Sequence, residues 1–383
     1  MRLLHTSDWH LGRTLHGEPL IEHQRAFLEW LVGEATTRSV DLVVVAGDVY
    51  DRAVPTTDAV SLLEGVLVAL ARARIPVLVT SGNHDSAVRL GFGGELAEAA
   101  GVHLRTRLSR LDDAVVIEDA HGPVAVYGIP YLLPDAVMAE LGAERSHTSV
   151  LRAAADRVRD DAQRRGIART VVVAHAFVTG GQVSESERDI SVGGIGDAPA
   201  SVFDGIGYVA LGHLHGAQAI TPTVRYSGSP LAFSFSERNH TKSVSVVDID
   251  AAGVATVELV PAPVPRTLRE VRGRLDDLLA RAENELAELA GCWVKVVLTD
   301  PSLPPAPMQR LRQVWPHTVL VERAPADDAS TAPVEAVDVT AITDPVEICA
   351  AFVEWVDSTR ADDAQRDMLS EVVQAVRAAE LAS

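Results

Sequence analysis

The chain has 383 residues, of which 47% are hydrophobic and 23% charged, a composition typical of a globular protein with a packed core. Its formal net charge of −19 argues against the broad basic face with which a protein binds nucleic acid unaided. No apolar run approaches the roughly 20 residues that span a bilayer, and no secretory leader is visible, so we expect a cytoplasmic protein with no membrane association.

The first two-thirds of the chain alternates short apolar runs with amphipathic stretches. Two helices are predicted between the first three runs, at residues 21–39 and 56–74, and the second follows the capping sequence Pro55-Thr56-Thr57-Asp58. This alternation is typical of a layered α/β domain with right-handed crossovers. The predicted strands are Arg2–Thr6, Leu42–Ala46, Val77–Thr80, Val124–Tyr127, Thr170–Ala174 and Tyr208–Leu211.

Three further strands are predicted at 224–226, 243–248 and 255–260, and we interpret them as a second sheet that completes a sandwich. Prolines 261, 263 and 265 then mark a domain boundary, because proline disfavours both helix and sheet. A small module and a terminal helical segment follow. Their predicted elements are a helix at 274–290, strands at 293–298 and 318–321, a short helix at 308–315, a linker at 324–333 and helices at 345–359 and 362–382.

Polar residues with metal-binding side chains follow five of the predicted strands. Ligands of open α/β sheets bind at the carboxyl ends of the strands, so one site could be assembled from all five groups. Any one of these groups alone is as easily a turn or a hydrogen-bonding pair. The groups are Asp8 with His10, Asp48, Asn83 with His84 and Asp85, His175, and His213 with His215.

The donor types in these groups favour a pair of divalent cations. Carboxylates, an amide oxygen and imidazoles suit Mn²⁺, Fe²⁺ or Zn²⁺, and the absence of thiolates argues against a structural zinc site. Residues two apart on an extended segment point to the same side, as Asp8 and His10 would. Seven donors suffice for two cations that share one carboxylate, and the seven are Asp8, His10, Asp48, Asn83, His175, His213 and His215. Two cations about 3.5–4 Å apart can clamp a phosphate and activate water, so we expect a phosphoesterase.

These groups, taken together, resemble the five motifs of the calcineurin-like metallophosphoesterase superfamily. Longer strings are similar to the SbcD family, the nuclease subunits of bacterial SbcCD complexes. The resemblance covers residues 1 to about 260, and beyond them it is one of arrangement only. The strings are His5–Gly12, Gly47–Asp51, Ala210–His215, Arg225–Pro230, Ser234–Glu237 and Lys242.

The resemblance implies a fold and a domain plan. Residues 1–260 would form a four-layer α/β/β/α sandwich that carries the nuclease site. Residues 261–323 would form a small α+β capping domain, residues 324–344 a linker, and residues 345–383 a helical segment that binds the partner.

The resemblance also implies a role for each candidate residue. His84 corresponds to the catalytic histidine that contacts the scissile phosphate and protonates the leaving oxygen, a role that suits an imidazole near neutral pH. Archaeal and eukaryotic relatives carry a second histidine where this chain has Asp51, so the role of that histidine does not transfer. One cation, with Mn²⁺ expected, would be held by Asp8, His10 and His215, the other by Asn83, His175 and His213, and Asp48 would bridge them.

Several assignments have two interpretations. Asp85 either orients the His84 ring or caps the following turn. The loop 227–230 supports the metal site, as a structural turn or through substrate contact. The arginines at 266, 269, 272 and 274 either contact phosphate or are simply solvated. The last two helices each carry an apolar stripe, with which they either dock on a partner or pack against the cap. The first stripe is Ile348, Phe352, Trp355 and Val356, and the second is Leu369, Val372, Val373 and Val376.

The function implied by the resemblance is that of a Mn²⁺-dependent double-strand 3′–5′ exonuclease and single-strand endonuclease. It would act with an SbcC-type ABC ATPase in DNA end processing, repair and hairpin cleavage, as a homodimer within a heterotetramer. The net charge favours an alternative, a stand-alone phosphodiesterase or phosphomonoesterase for a small ester. A non-catalytic scaffold is a third possibility, and the intact donor set speaks against it.

Overall fold

The computed structural model describes residues 1–187, 197–324, 342, 344–357 and 360–381. Its strands are β1 (Arg2–Thr6), β2 (Thr14–Leu15), β3 (Glu18–Pro19), β4 (Leu42–Ala46), β5 (Val77–Thr80), β6 (Val102–Arg105), β7 (Val115–Asp119), β8 (Gly122–Ile129), β9 (Thr170–His175), β10 (Tyr208–Gly212), β11 (Gln218–Ala219), β12 (Val224–Tyr226), β13 (Ser243–Ile249), β14 (Ala255–Pro261), β15 (Leu268–Gly273), β16 (Trp293–Leu298) and β17 (Thr318–Arg323). Its helices are α1 (Ile21–Thr37), α2 (Thr57–Arg72), α3 (Ala87–Leu90), α4 (Gly94–Ala97), α5 (Pro134–Leu141), α6 (His147–Arg165), α7 (Leu275–Arg281), α8 (Pro307–Val314), α9 (Pro345–Asp357) and α10 (Asp363–Leu381).

Two six-stranded mixed sheets make up the part of the fold that carries the site. The first has the strand order β14-β13-β1-β4-β5-β6 and the second β11-β12-β10-β9-β8-β7. Strands β1, β4, β5 and β6 are parallel to one another, as are β8, β9, β10 and β12. The carboxyl ends of neighbouring parallel strands therefore lie at one edge of each sheet.

An apolar core lies between the two sheets, and helices cover their other faces. Val44 and Leu78 of the first sheet and Val126 and Val173 of the second are fully buried in this shared core. Helices α1 and α2 pack on the first sheet, and α5 and α6 on the second. Full burial of one such side chain contributes roughly 1.5–3 kcal/mol, so these continuous apolar strands explain the layered arrangement.

His5 of β1 is a polar link inside this core. Its Nε2 donates to the carbonyl oxygen of Leu211 and its Nδ1 accepts from the hydroxyl of Tyr208, both at 3.0 Å. Burial lowers the pKa of His5 to about 3, so the ring stays neutral, as this pair of hydrogen bonds requires. The contacts join β1 to β10, the two strands that lead into Asp8 and His213.

The prediction of a mixed α/β fold is confirmed, and β1, β4 and β5 have the predicted bounds. The assignment of the strands near 243–248 and 255–260 to a second sheet is wrong. Strand β13 pairs antiparallel with β1, with Arg2 opposite Asp248, and β14 extends the first sheet beyond it. The predicted helix at 274–290 is also too long, because α7 ends at Arg281 and only a 3₁₀ turn follows, at Ala287–Gly291.

A third sheet, β15-β16-β17, forms a small module with α7 and α8. This module belongs to one compact unit with the two large sheets, formed by Met1–Leu298 and Pro304–Glu322. Trp293 of the module lies in a buried cluster with Phe233 and Phe235, residues of the loop that precedes β13. The module therefore packs on a loop that contacts His10 and His215 through Phe233.

The second compact unit comprises Thr299–Leu303 and Arg323–Ser383, and its helices are α9 and α10. An ion pair of 2.7 Å between Arg366 and Glu347 joins the two helices. Most of the predicted linker 324–344, and the side chain of Val356, lie outside the described residues. Among the described residues, no helix has the length and apolar character needed to cross a membrane.

Candidate metal centre

The structure brings all seven predicted donors and His84 together. They come from the segments at the carboxyl ends of β1, β4, β5, β9 and β10. All are buried except Asn83, which is half-buried. Three overlapping sets of their side chains place a carboxylate or imidazole atom within 4.8 Å of every other atom of the set. The three sets are Asp8 with His10 and His215, His10 with Asp48 and His84, and Asp8 with Asp48 and His175.

The first donor group consists of Asp8, His10 and His215. Nε2 of His10 lies 3.2 Å from Nε2 of His215. Two nitrogens that each lie about 2.1 Å from one cation are separated by roughly 3.0–3.4 Å in tetrahedral or octahedral geometry. The observed separation therefore fits two ligands of one ion.

The second donor group consists of Asn83, His175 and His213. Oδ1 of Asn83 lies 2.8 Å from Nε2 of His175 and 3.3 Å from Nδ1 of His213. Nδ1 of His175 must donate to the carbonyl oxygen of Ala46, at 2.9 Å, so Nε2 of the neutral ring carries a lone pair. This lone pair faces the Asn83 oxygen, and a cation would satisfy both.

Asp48 lies between the two groups. Its Oδ2 is 3.7 Å from Nε2 of His10 and 3.6 Å from Nε2 of His175. Its Oδ1 accepts a hydrogen bond from the backbone N–H of His84 at 2.8 Å. One oxygen is thus fixed by the protein, and the other faces both groups, which is the position a bridging carboxylate needs.

The backbone at the donors is strained. Four of them have positive φ angles although none is glycine, namely Asp8 (53°), His10 (44°), Asp48 (49°) and His213 (113°). Each such residue costs about 1–3 kcal/mol and persists only where the surroundings hold it, typically at functional sites. The strained backbone therefore lowers the stability of the folded chain, and it directs these side chains toward the site.

Two glycines allow the loops to approach closely enough for this arrangement. A Cβ atom on Gly82 would lie 2.1 Å from Oδ1 of Asp48. A Cβ on Gly212 would lie 1.8 Å from the carbonyl oxygen of Ala46. Any larger residue would push the strand ends apart, so the glycines that directly precede Asn83 and His213 have a steric explanation.

The electrostatics of the site also fit bound cations. Burial, reinforced by the charge of Asp48, raises the pKa of Asp8 well above its usual range. Burial, reinforced by neighbouring histidines, lowers the pKa of His10 strongly, and burial lowers the pKa of His175 to about 4. Neutral imidazoles and ionised carboxylates are the forms in which these side chains bind metal ions. Divalent cations would supply the positive charge that keeps the buried carboxylates ionised.

A sequence model of the calcineurin-like phosphoesterase family matches residues 1–217, more than half of the chain. The chain belongs to this family. A second model, SbcD_C, described as a type 5 capsule protein repressor C-terminal domain, matches residues 264–354. The predictions of a calcineurin-like, metal-dependent phosphoesterase and of a similarity to SbcD are thereby confirmed.

Curated and solved proteins give further comparisons. The SbcD subunit of the nuclease SbcCD from Staphylococcus epidermidis is 29% identical over 336 residues, which is 85% of this chain and 86% of the relative. The crystal structure of TT1561 from Thermus thermophilus is 14% identical, with a TM-score of 0.40, and covers 68% of this chain and 98% of that one. The sulfate thiohydrolase SoxB of the same organism is 13% identical, with a TM-score of 0.34 and coverages of 68% and 56%.

His84 of this phosphoesterase faces an open cavity beside the donors. Its Nδ1 donates to the carbonyl oxygen of Asp51 at 2.9 Å, and its Nε2 lies 4.0 Å from Oδ2 of Asp48. The cavity has a volume of about 380 Å³ and would admit a phosphate group with its substituents. Its lining residues are Arg13, Thr14, Asp51, Arg52, His84 and Ser186.

The contacts of Asp85 favour the interpretation as a turn. Its carboxylate accepts hydrogen bonds from the backbone N–H groups of Gly82, Val49 and Tyr50, at 2.9–3.1 Å. It thereby ties the loop after β5 to the loop after β4. The His84 ring is held instead by the backbone of Asp51.

Two supporting contacts lie behind Asp8 and His10. Ser7 donates to the Asp8 carboxylate, and its hydroxyl lies 2.9 Å from that of Ser227, so the loop 227–230 supports the site. Gln24, whose role the sequence analysis did not predict, donates to the carbonyl oxygen of His10 at 2.7 Å and accepts from the N–H of Gly12. The sequence did contain an indication of this role, since Gln24 is a polar residue on the apolar face of α1.

Proposed function

We propose that this phosphoesterase is the nuclease subunit of an SbcCD-like complex, a Mn²⁺-dependent double-strand 3′–5′ exonuclease and single-strand endonuclease. The observation that carries the proposal is the convergence of seven donors and His84 beside an open cavity with two arginines. The similarity to a relative named as a nuclease subunit supports it, because the similarity extends over most of both chains.

In this proposal the donors divide as the resemblance implies. Asp8, His10 and His215 hold one cation, Asn83, His175 and His213 hold the other, and Asp48 contacts both. The bound pair would offset the negative charge that develops on the phosphate and would activate the attacking water.

His84 is the proposed general acid. Its Nδ1–H is fixed by the Asp51 carbonyl, so a proton gained or lost by the ring is carried at Nε2, the nitrogen that faces the donors. From there the ring can protonate the oxygen that leaves phosphorus.

The cavity also suggests how an acidic protein could bind a polyanion. Arg13 is held in place, since its guanidinium donates to the carbonyl oxygen of Ser186 and stacks on Phe233 at 4.8 Å. The Arg52 side chain is 76% exposed. Both arginines lie 3.5 Å from one carboxylate, that of Asp51, so a net positive charge remains where a phosphodiester would lie, despite the net charge of −19.

The rest of the chain would serve the assembly. We propose that residues 261–323 form a capping domain over the DNA, that 324–344 form a linker, and that the segment 345–383 binds an SbcC-type ABC ATPase. The complex would be a heterotetramer around a homodimer of this chain, and it would act in the cytoplasm on DNA ends and hairpins. The similarity of residues 264–354 to the SbcD_C model supports this plan.

The test compares two substrates, linear duplex DNA and the small diester bis(p-nitrophenyl) phosphate, with Mn²⁺ and with and without the ATPase. The expected result is cleavage of DNA by the wild type. His84→Gln should abolish cleavage but retain metal, because His84 is not among the proposed ligands. His121→Gln, at an exposed histidine, is the matched control and should leave cleavage unchanged.

Two outcomes would contradict the proposal. Turnover of the small diester without DNA cleavage, even with the ATPase present, would favour the stand-alone phosphodiesterase suggested by the net charge. Unchanged DNA cleavage by His84→Gln would exclude the acid role of this residue.

A further inference from the structure

A buried ion pair lies directly behind His215. Nζ of Lys242 and Oε2 of Glu237 are 2.5 Å apart, and their side chains are 3% and 0% exposed. Removing two charges from water opposes folding, so such a pair is weak evidence of a role in stability alone. Its position against a metal-binding histidine gives it another explanation.

The carboxylate of Glu237 fixes the orientation of the His215 ring. Its Oε1 lies 3.3 Å from Nδ1 of His215 and also accepts from the hydroxyl of Ser186. The Ser186 hydroxyl is itself 2.7 Å from the same Nδ1. Nδ1 therefore carries the hydrogen, and Nε2, which faces His10, is left with its lone pair.

The remaining contacts hold the pair and the backbone of His215 in place. Lys242 donates to the carbonyl oxygen of His215 at 3.0 Å and to the hydroxyl of Ser229 at 2.9 Å. Glu187 accepts the backbone N–H of His215 at 2.7 Å. Lys242 offsets the charge of Glu237, so the carboxylate can stay ionised in a buried position.

The second donor group is supported differently. Nδ1 of His175 donates to a neutral group, the backbone carbonyl of Ala46. A carboxylate that accepts the far N–H of an imidazole raises the basicity of the ring more than a carbonyl does, and loss of such a partner typically weakens metal binding 10- to 100-fold. Among the described residues, His215 of the first group therefore has the stronger support, whereas Nδ1 of His10 has no hydrogen-bond partner and lies 3.7 Å from Oδ1 of Asp51.

We propose that Glu237 is a positioning residue that makes the Asp8–His10–His215 site the tighter of the two, so that the centre loads its cations in order and fills this site first. The inference rests on the proposed two-cation centre and not on the substrate. It predicts an unequal pair of binding steps before any catalysis takes place.

The experiment titrates the purified full-length chain with Mn²⁺ and measures free Mn²⁺ by electron paramagnetic resonance. The wild type should show two steps of different affinity. Glu237→Gln should weaken the tighter step about 10- to 100-fold and change the weaker step less than about twofold. An equal effect on both steps, or an effect on the weaker step alone, would overturn the proposal.

Variants of the second group identify the sites. Asn83→Ala should remove the weaker step and leave one Mn²⁺ bound with the tight affinity. Adding Glu237→Gln to this variant should weaken that remaining step by the same factor. If Asn83→Ala removes the tighter step instead, the assignment of the sites is wrong.

Two controls separate positioning from general damage. Asp161→Asn removes another buried carboxylate, one paired with Arg165 on α6, and should lower stability but leave both metal steps unchanged. Should Glu237→Gln fail to fold, Ser186→Ala deletes only the hydroxyl between the ring and the carboxylate. It should weaken the tighter step several-fold, and an unchanged step would overturn the proposal.

The outcomes also distinguish this inference from the proposed function. Ordered binding of two Mn²⁺ ions by a chain that does not cleave DNA would leave the role of Glu237 standing and would count against the nuclease. DNA cleavage by a chain whose two Mn²⁺-binding steps are equal and unaffected by Glu237→Gln would support the nuclease and would count against the role of Glu237.

Discussion

The metal centre and the terminal helices are specified in opposite ways. Donors of the centre are held by the surrounding fold, as Asp48 is by the backbone of His84 and by the approach of Gly82. On α9, by contrast, Phe352 and Trp355 are 62% and 56% exposed. The chain thus pre-organises its own centre, whereas the apolar side chains of α9 have a surface that the described contacts leave uncovered.

The strongest test of this contrast removes the shared carboxylate. Asp48→Ala should abolish the binding of both Mn²⁺ ions and lower DNA cleavage by at least about 1,000-fold, because both groups lose one donor and the charge that attracts the cations. Mn²⁺ stoichiometry and cleavage rates measure it. Asp112→Ala, at an exposed carboxylate, should match the wild type. A variant that still binds two ions would show that Asp48 is not shared.

A second test concerns the close approach of the loops. Gly212→Ala should destabilise the chain by about 3 kcal/mol or more, since the new methyl group would meet the carbonyl oxygen of Ala46 and overpack the strand ends. Urea denaturation measures the change. Gly33→Ala is the matched control on α1, where a Cβ meets nothing within 4 Å, and it should stabilise by roughly 0.5–1 kcal/mol. Similar effects of the two variants would argue against the packing explanation.

A third test measures how strongly bound cations stabilise the folded chain. Saturating Mn²⁺ should raise the free energy of unfolding, by about 2.7 kcal/mol for each site at 100 times the dissociation constant of that site, because cations bind the folded centre preferentially. Thermal unfolding with Mn²⁺ and with EDTA measures the shift. Asp48→Ala should show almost none, and an equal shift in that variant would place the stabilising ions elsewhere.

The contrast also explains what the sequence could reveal. The donors were predictable because each follows a continuous apolar strand, and parallel strands bring their ends together whatever their exact order. The sheet to which β13 belongs was not predictable in this way. Its apolar residues indicate a strand, but its partner β1 lies at the opposite end of the catalytic region of the chain, and only three-dimensional packing selects it.

Supporting residues were harder to predict than donors. Glu237 and Lys242 lie on a loop and on the approach to β13, and their buried contact with His215 depends on how that loop folds back. The strings that resemble the SbcD family include both residues, but charged residues in loops are ordinarily solvated, so no local pattern predicted that this pair would be buried. Helix α6, by comparison, shows a clear apolar stripe from Val150 to Ala162 and was predictable from its periodicity, although no helix was predicted there.

The smallest effect on the isolated chain is expected at the terminal helices. Replacing Phe352 and Trp355 by serine should change the stability of the first compact unit by less than about 0.5 kcal/mol, because exposed side chains contribute little to folding. Metal binding and cleavage of the small diester should be unchanged. Binding of the proposed ATPase partner, measured by calorimetry, should be lost if these residues form the docking face.

The matched control for that variant is Val254→Ser, which removes an exposed apolar side chain from the turn between β13 and β14. It should alter neither stability nor partner binding. If the double variant binds the ATPase as well as the wild type does, α9 is not the docking face, and its exposed aromatic residues need another explanation. If it instead unfolds the first unit, those side chains belong to the core of the chain, and the contrast between the two regions fails.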